Sequence, residues 1–142
     1  MRSTFLKKCV LVTALLTIGG GAMAAEIFLT TGGVTHAVTI EDHDAAKSLI
    51  AMLPLDLKFE DYGSVERISY LPRKLTLGNA PTRTTPAAGD LTYYAPWGNL
   101  AVFIGSFRTS DGLVPLGKLS REALDAVRSS GDHTVRLTAA RP

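Results

Sequence analysis

The chain has 142 residues, a formal net charge of +2 and a single cysteine, which is room for one domain and excludes a disulfide framework. Three of the basic residues (Arg2, Lys7 and Lys8) fall in the first eight positions. Without them the chain carries 12 Lys and Arg against 13 acids, a net charge of about −1, and this balance excludes the basic face that a nucleic-acid reader needs.

In chain order the first element is an export signal. A basic n-region is followed by the apolar run Cys9 to Ile18, then three glycines and the small-x-small sequence Ala22-Met23-Ala24. A spanning helix needs about 20 apolar residues, and this run is about half that. Residues 1–24 are therefore read as a cleaved signal peptide and residues 25–142 as the mature domain. The expected location is the periplasm or the exterior, with no membrane span after cleavage. Cys9 leaves with the signal, so the mature domain has neither a thiol nucleophile nor a sulfur ligand for metal.

The mature chain is dominated by period-two alternation, the signature of strands with one face on a core. Ile27 and Leu29 open the domain, and Thr31-Gly32-Gly33 turns it into Val34, His36, Val38 and Ile40. Leu55, Leu57 and Phe59 alternate with Asp56, Lys58 and Glu60. Strands are also expected over 66–71 and 91–94, and Leu100 to Ile104 is apolar on both faces, so it is expected to be central and covered. Leu113 to Leu119 contains Pro115, which points to an edge position or a bulge. Val135, Leu137 and Ala139 form the last strand.

Two segments change to helical spacing. Ala46, Leu49, Ile50 and Leu53 fall at i, i+3, i+4 and i+7, with Asp42 or Asp44 as the expected cap and Pro54 as the stop. Ser120 is a natural N-cap, Leu119 and Leu124 occupy the positions of a hydrophobic staple, and Gly131 is placed to end the helix. The segment 78–89 has no periodicity and reads as a surface loop. The expected fold is mostly β: about eight short strands closed into a barrel to protect their edges, with two helices at its ends.

This order of elements resembles the cyclophilin-like barrel. Asp111-Gly112-Leu113-Val114-Pro115-Leu116-Gly117-Lys118-Leu119 is similar to the late cyclophilin strand, with its Asp-Gly turn and following Gly-Lys. A closer resemblance is to small bacterial cyclophilin-like proteins of uncharacterised function. It is carried by Leu53-Pro54-Leu55, Phe59-Glu60-Asp61-Tyr62, Tyr70-Leu71-Pro72 and the stretch from Gly89 through Tyr93-Tyr94-Ala95-Pro96-Trp97-Gly98-Asn99 to Leu100. The resemblance covers residues 26–140 and implies a closed cyclophilin-like eight-stranded β-barrel with two helices. It does not bring the catalyst with it. Prolyl isomerase cyclophilins use an arginine backed by glutamine, phenylalanine, tryptophan and histidine, whereas the chain has no glutamine, and no histidine stands near residues 113–119.

The candidate functional surface is the aromatic stretch Tyr93, Tyr94, Pro96, Trp97 and Asn99, weighed against simple closure of the barrel end, which is the favoured reading of such a turn. The residues expected to meet a ligand are Tyr94, Trp97 and Phe103, with Arg73 and Asn99 as polar contacts. Glu60, Asp61 and Glu66 read as a solvated face and a turn rather than an acid–base pair. His36 reads as a core histidine, His43 and His133 as exposed, and no pair has metal-ligand spacing. No metal, no cofactor and no catalytic residue is assigned. The reading is a monomeric, exported binding module for a peptide segment or small molecule. A prolyl isomerase relying on Arg73 and Phe103 and an accessory domain of an envelope complex are its alternatives.

Overall fold

The computed structural model describes residues 23–142. The proposed signal segment lies outside the described residues, apart from Met23 and Ala24, whose backbone starts the first strand. Eleven strands and two helices follow one another in the described residues: β1 (Met23–Thr31), β2 (Val34–Glu41), α1 (Asp44–Met52), β3 (Leu55–Lys58), β4 (Glu60–Tyr62), β5 (Glu66–Tyr70), β6 (Arg83–Thr84), β7 (Asp90–Tyr94), β8 (Asn99–Phe103), β9 (Ser110–Asp111), β10 (Leu113–Leu119), α2 (Arg121–Arg128) and β11 (Thr134–Thr138).

Nine of the strands form one antiparallel sheet in the order β3-β11-β1-β2-β10-β7-β8-β5-β4. Its two outermost strands, β3 and β4, are separated in sequence by Phe59 alone. The chain itself therefore passes from one edge of the sheet to the other and closes it into a barrel. Counted as one bent strand, β3 and β4 bring the barrel to the expected eight strands. Closure removes the two free edges that an open sheet would expose.

The alternating apolar residues meet inside. Ile27, Val38, Ile40, Leu57, Leu91, Leu100, Val102, Val114, Leu116, Val135 and Leu137 belong to one buried cluster, which Ala45, Ala46, Leu49 and Met52 of α1 and Ala123 and Val127 of α2 complete. Each such aliphatic side chain contributes about 1.5–3 kcal/mol on full burial. The β1–β2 turn has Gly32 at φ 59° and Gly33 at φ 79°, the pair of left-handed residues that a two-residue hairpin matched to strand twist requires.

The structure decides between the two expectations for Pro115: it marks a bulge and not an edge, because β10 lies between β2 and β7 and its register to β7 shifts between Pro115 and Gly117. Other local expectations are corrected. The cap of α1 is His43, not Asp42 or Asp44: its Nδ1 accepts from Ala46 N–H at 3.1 Å, and its Nε2 then carries the proton and donates to Pro115 O at 2.7 Å. His43 is accordingly buried rather than exposed, and it ties α1 to the bulge. The segment 78–89 is not a free surface loop, since it contains β6, which pairs with β9 in a second small sheet. Its start is held by a reciprocal pair, with Asp44 N–H donating to Asn79 Oδ1 at 2.8 Å and Asn79 N–H to Asp44 Oδ2 at 2.9 Å.

The cap leads to a first prediction. His43→Ala removes one helix cap and one buried hydrogen bond to a backbone carbonyl, and should cost about 2 kcal/mol in urea unfolding. His43→Asn keeps a capping side chain without the reach to Pro115 and should recover about half of that. Equal losses for both variants would show that the cap carries none of it.

Candidate functional site

The interior is not the only buried apolar surface. Strand alternation sends a second set of side chains to the outer wall over β4, β5, β8, β7 and β10, and the backbone register places them in rows. Tyr62 is opposite Glu66, which is opposite Phe103. Ile68 is opposite Ala101, and Asn99 lies between Tyr70 and Tyr94. Ile68, Ala101, Phe103 and Leu113 form a separate buried cluster on this wall, joined by the half-buried Val65, Tyr94 and Phe107. This is why β8 is apolar on both faces: Leu100 and Val102 face the barrel interior, while Ala101 and Phe103 face the second cluster.

A cavity of about 400 Å³ opens above this cluster. Its floor is Ile68, Phe103 and Leu113. Phe107 comes over from the segment between β8 and β9, its ring centroid 6.2 Å from that of Phe103. The segment is held by Phe107 N–H donating to Pro86 O at 3.2 Å and by the β6–β9 ribbon, in which Arg83 pairs with Asp111.

The β7–β8 hairpin builds the opposite wall. Tyr94 O accepts from Trp97 N–H at 3.2 Å and from Gly98 N–H at 2.9 Å, with Gly98 at φ 74°. Ala95 N–H donates to Gly112 O at 2.9 Å. Held this way, Trp97 keeps 46% of its surface exposed. Its ring stands nearly perpendicular to Tyr62 (centroids 5.3 Å, 87°) and to Tyr94 (5.5 Å, 77°), both favourable edge-to-face geometries.

Two polar groups that line the cavity lack partners among the described residues. Asn99 is 1% exposed, and its Oδ1 makes no hydrogen bond among the described residues. An unpaired buried acceptor costs about 1–3 kcal/mol, and Asn99 retains one while lining the cavity. Glu66 is half-buried and makes no ion pair among the described residues; burial pushes its carboxyl above the ordinary value of 4.5. Arg108 also lines the cavity, with its guanidinium 4.6 Å from the centre of the Phe107 ring.

Of the residues singled out in the sequence, Tyr94, Trp97, Asn99 and Phe103 line this one cavity, and Arg73 does not. Arg73 is exposed on the segment that leaves β5. The aromatic stretch divides. Tyr93 points inward, is fully buried, and accepts from Leu75 N–H at 3.2 Å. Only this tyrosine serves as core closure, and Trp97 does not. Tyr62, Glu66, Phe107, Arg108 and Leu113 were not legible as site residues. Tyr62 and Glu66 flank the Gly63 turn at a spacing that pairs them across a hairpin, and that was the available signal. Glu60, Asp61 and Glu66 do not form a carboxylate pair, because Asp61 faces Arg67 and Glu60 is solvent-exposed. His36 is half-buried rather than core, in a shallow groove between the β1–β2 hairpin and α2.

Among the described residues no helix is long and apolar enough to cross a membrane. Comparison with curated proteins gives no match. Among solved structures, the chain is similar to the solution structure of the hypothetical protein AF2241 from Archaeoglobus fulgidus, with a TM-score of 0.63 and 12% identity over 87% of this chain and 100% of that one. At that identity the likeness concerns the fold. The model of the Cyclophilin-like family matches residues 29–138, which spans the barrel from β1 to β11, and the chain belongs to that family.

Proposed function

We propose that this chain is an exported, monomeric binding module of the cyclophilin-like family, periplasmic or secreted, which holds a peptide segment or a small molecule in the outer-wall cavity. Export is supported by the signal sequence over residues 1–24. The cavity has the composition of a binding site: an apolar floor, exposed aromatic walls and a few polar groups. The single observation that carries the reading is the buried, unpaired Asn99 Oδ1 beside it.

Trp97 is the only tryptophan of the chain, so its fluorescence reports on this cavity alone. Titration with a short peptide containing an X–Pro bond should shift its emission saturably, and Asn99→Leu should weaken binding about tenfold by removing the polar contact. An unchanged emission up to millimolar peptide, or equal affinity for Asn99→Leu, would count against the peptide reading. The same peptide tests the isomerase alternative. A cyclophilin-like catalyst sets a cation or donor against the prolyl amide, and the arginine that lines the cavity is Arg108. Accelerated cis–trans exchange that is lost in Arg108→Ala would replace the binding-only reading with catalysis.

A further inference from the structure

The groups around the cavity's aromatic end share one chemical property: they attract positive charge. Glu66 stands directly across the β4–β5 ladder from Tyr62, which places their side chains as neighbours on one face. Trp97 stands between Tyr62 and Tyr94, nearly perpendicular to both, and all three line this end of the cavity. No lysine lines the cavity. Its one arginine, Arg108, lies over Phe107, and its other acid, Asp111, is paired with Arg83. An anion entering here would meet the carboxylate of Glu66, which has no ion-pair partner among the described residues, and the aromatic end of the cavity. A cation would gain from both.

We propose that the cavity takes an organic ammonium group, with Glu66 as its counter-ion, the rings of Tyr62, Trp97 and Tyr94 as its π walls, and Asn99 as a neutral polar contact. This rests on the reading of the cavity as a binding site and names the ligand chemistry. A lysine side chain of a bound peptide and a free quaternary amine share that chemistry. The raised Glu66 carboxyl fits the assignment, because burial without a partner disfavours the charged form and a bound cation supplies the missing partner.

The test uses Trp97 emission and calorimetry on the full mature domain with three probes: choline, its uncharged carbon isostere dimethylbutanol, and a capped Gly-Lys-Gly peptide. Choline or the lysine peptide should bind at least about tenfold tighter than the uncharged isostere, and whichever of the two binds better identifies the source. Glu66→Gln should abolish that preference. It should leave thermal stability at neutral pH unchanged or raised, because it removes the cost of burying a charge. Tyr62→Leu, on the exposed rim, should weaken the charged probe several-fold and spare the isostere.

Affinity for the charged probe should fall as pH drops through the raised Glu66 range. The other ionisable groups around the cavity are Tyr62, Tyr94, Arg108 and Asp111. Equal binding of choline and its isostere overturns the ammonium assignment and leaves a generic binding cavity standing. A preference for charge that survives Glu66→Gln overturns the assignment of Glu66 as the counter-ion. If none of the three probes binds, the assignment also fails, and the X–Pro peptide titration decides the binding-module reading separately.

Discussion

Gly117→Ala is expected to lose at least about 3 kcal/mol of folding stability, measured as the shift in the urea midpoint at constant m. A Cβ at this position would overlap the carbonyl oxygen of Thr39 and stand 3.1 Å from Ile40 Cδ1. Thr39 O is backbone of the neighbouring strand β2, and Gly117 is registered directly against Ile40. The obstruction is therefore not the movable end of a side chain. Relief requires β10 and β2 to separate, and β10 is held on its other side by β7. The bulge at Pro115 lies just before this position, and His43 holds that bulge from α1. An unchanged urea midpoint for Gly117→Ala would mean that the two strands part at little cost, and the close approach of Thr39 O would then not require glycine here.

Arg67→Met should cost about 3 kcal/mol by the same measurement, because it removes a buried guanidinium that no other group replaces. Arg67 points into the barrel from β5 and is buried at the C-terminal end of α2. Its Nε donates to Val127 O at 3.2 Å, and its Nη2 donates to Ser130 Oγ at 2.9 Å and to Gly131 O at 2.7 Å. Its Nη1 donates to Asp61 Oδ1 at 3.1 Å. The last carbonyls of a helix have no partner within it, and a cation there also meets the negative end of the helix dipole. Gly131, expected from the sequence as a helix end, lies just past the cap residue Ser129 and adds a further carbonyl acceptor beyond the helix.

The two halves of this network separate by experiment. Asp61 is 75% exposed, so Asp61→Asn should cost less than about 1 kcal/mol. Arg67→Lys should recover less than half of the Arg67→Met loss, since an ammonium cannot reach several acceptors with a planar fork. If Asp61→Asn matched Arg67→Met, the ion pair and not the helix end would be the source of the stability.

The candidate site divides along similar lines. Tyr94, Trp97 and Asn99 belong to one hairpin, so their proximity follows from the six residues Tyr94 to Asn99, and the turn residues Pro96 and Gly98 announce it. Phe103 follows from strand alternation, because β8 is too apolar to have a solvated face. Arg73 did not follow, because it lies beyond β5, where no ladder constrains the chain and the direction of the side chain has no periodic signal. Glu66 was hidden for the opposite reason. Charged residues on strands usually face water, whereas this one lies in the ladder between Tyr62 and Phe103 and lines the cavity with them.

The sequence by itself determined both helices and the longer strands, because periods of two and 3.6 are local properties of the chain, while the two-residue strands β6 and β9 carried no periodic signal. It also determined the hairpin glycines, the α2 cap and family membership through motifs such as Asp111-Gly112 and Gly117-Lys118. Tertiary structure alone decided that β3 and β4 are one strand bent at Phe59 to close the barrel, that Pro115 sits at a bulge between two strands, and that Gly117 must be glycine. It also decided that His43 and Arg67 are buried clamps, and that the outer wall carries a second apolar cluster with a cavity above it. Each of these depends on residues far apart in the chain: 72 positions separate His43 from Pro115, and 60 separate Arg67 from Val127. No local pattern encodes such a pair, because only the closed barrel brings its members within hydrogen-bonding distance.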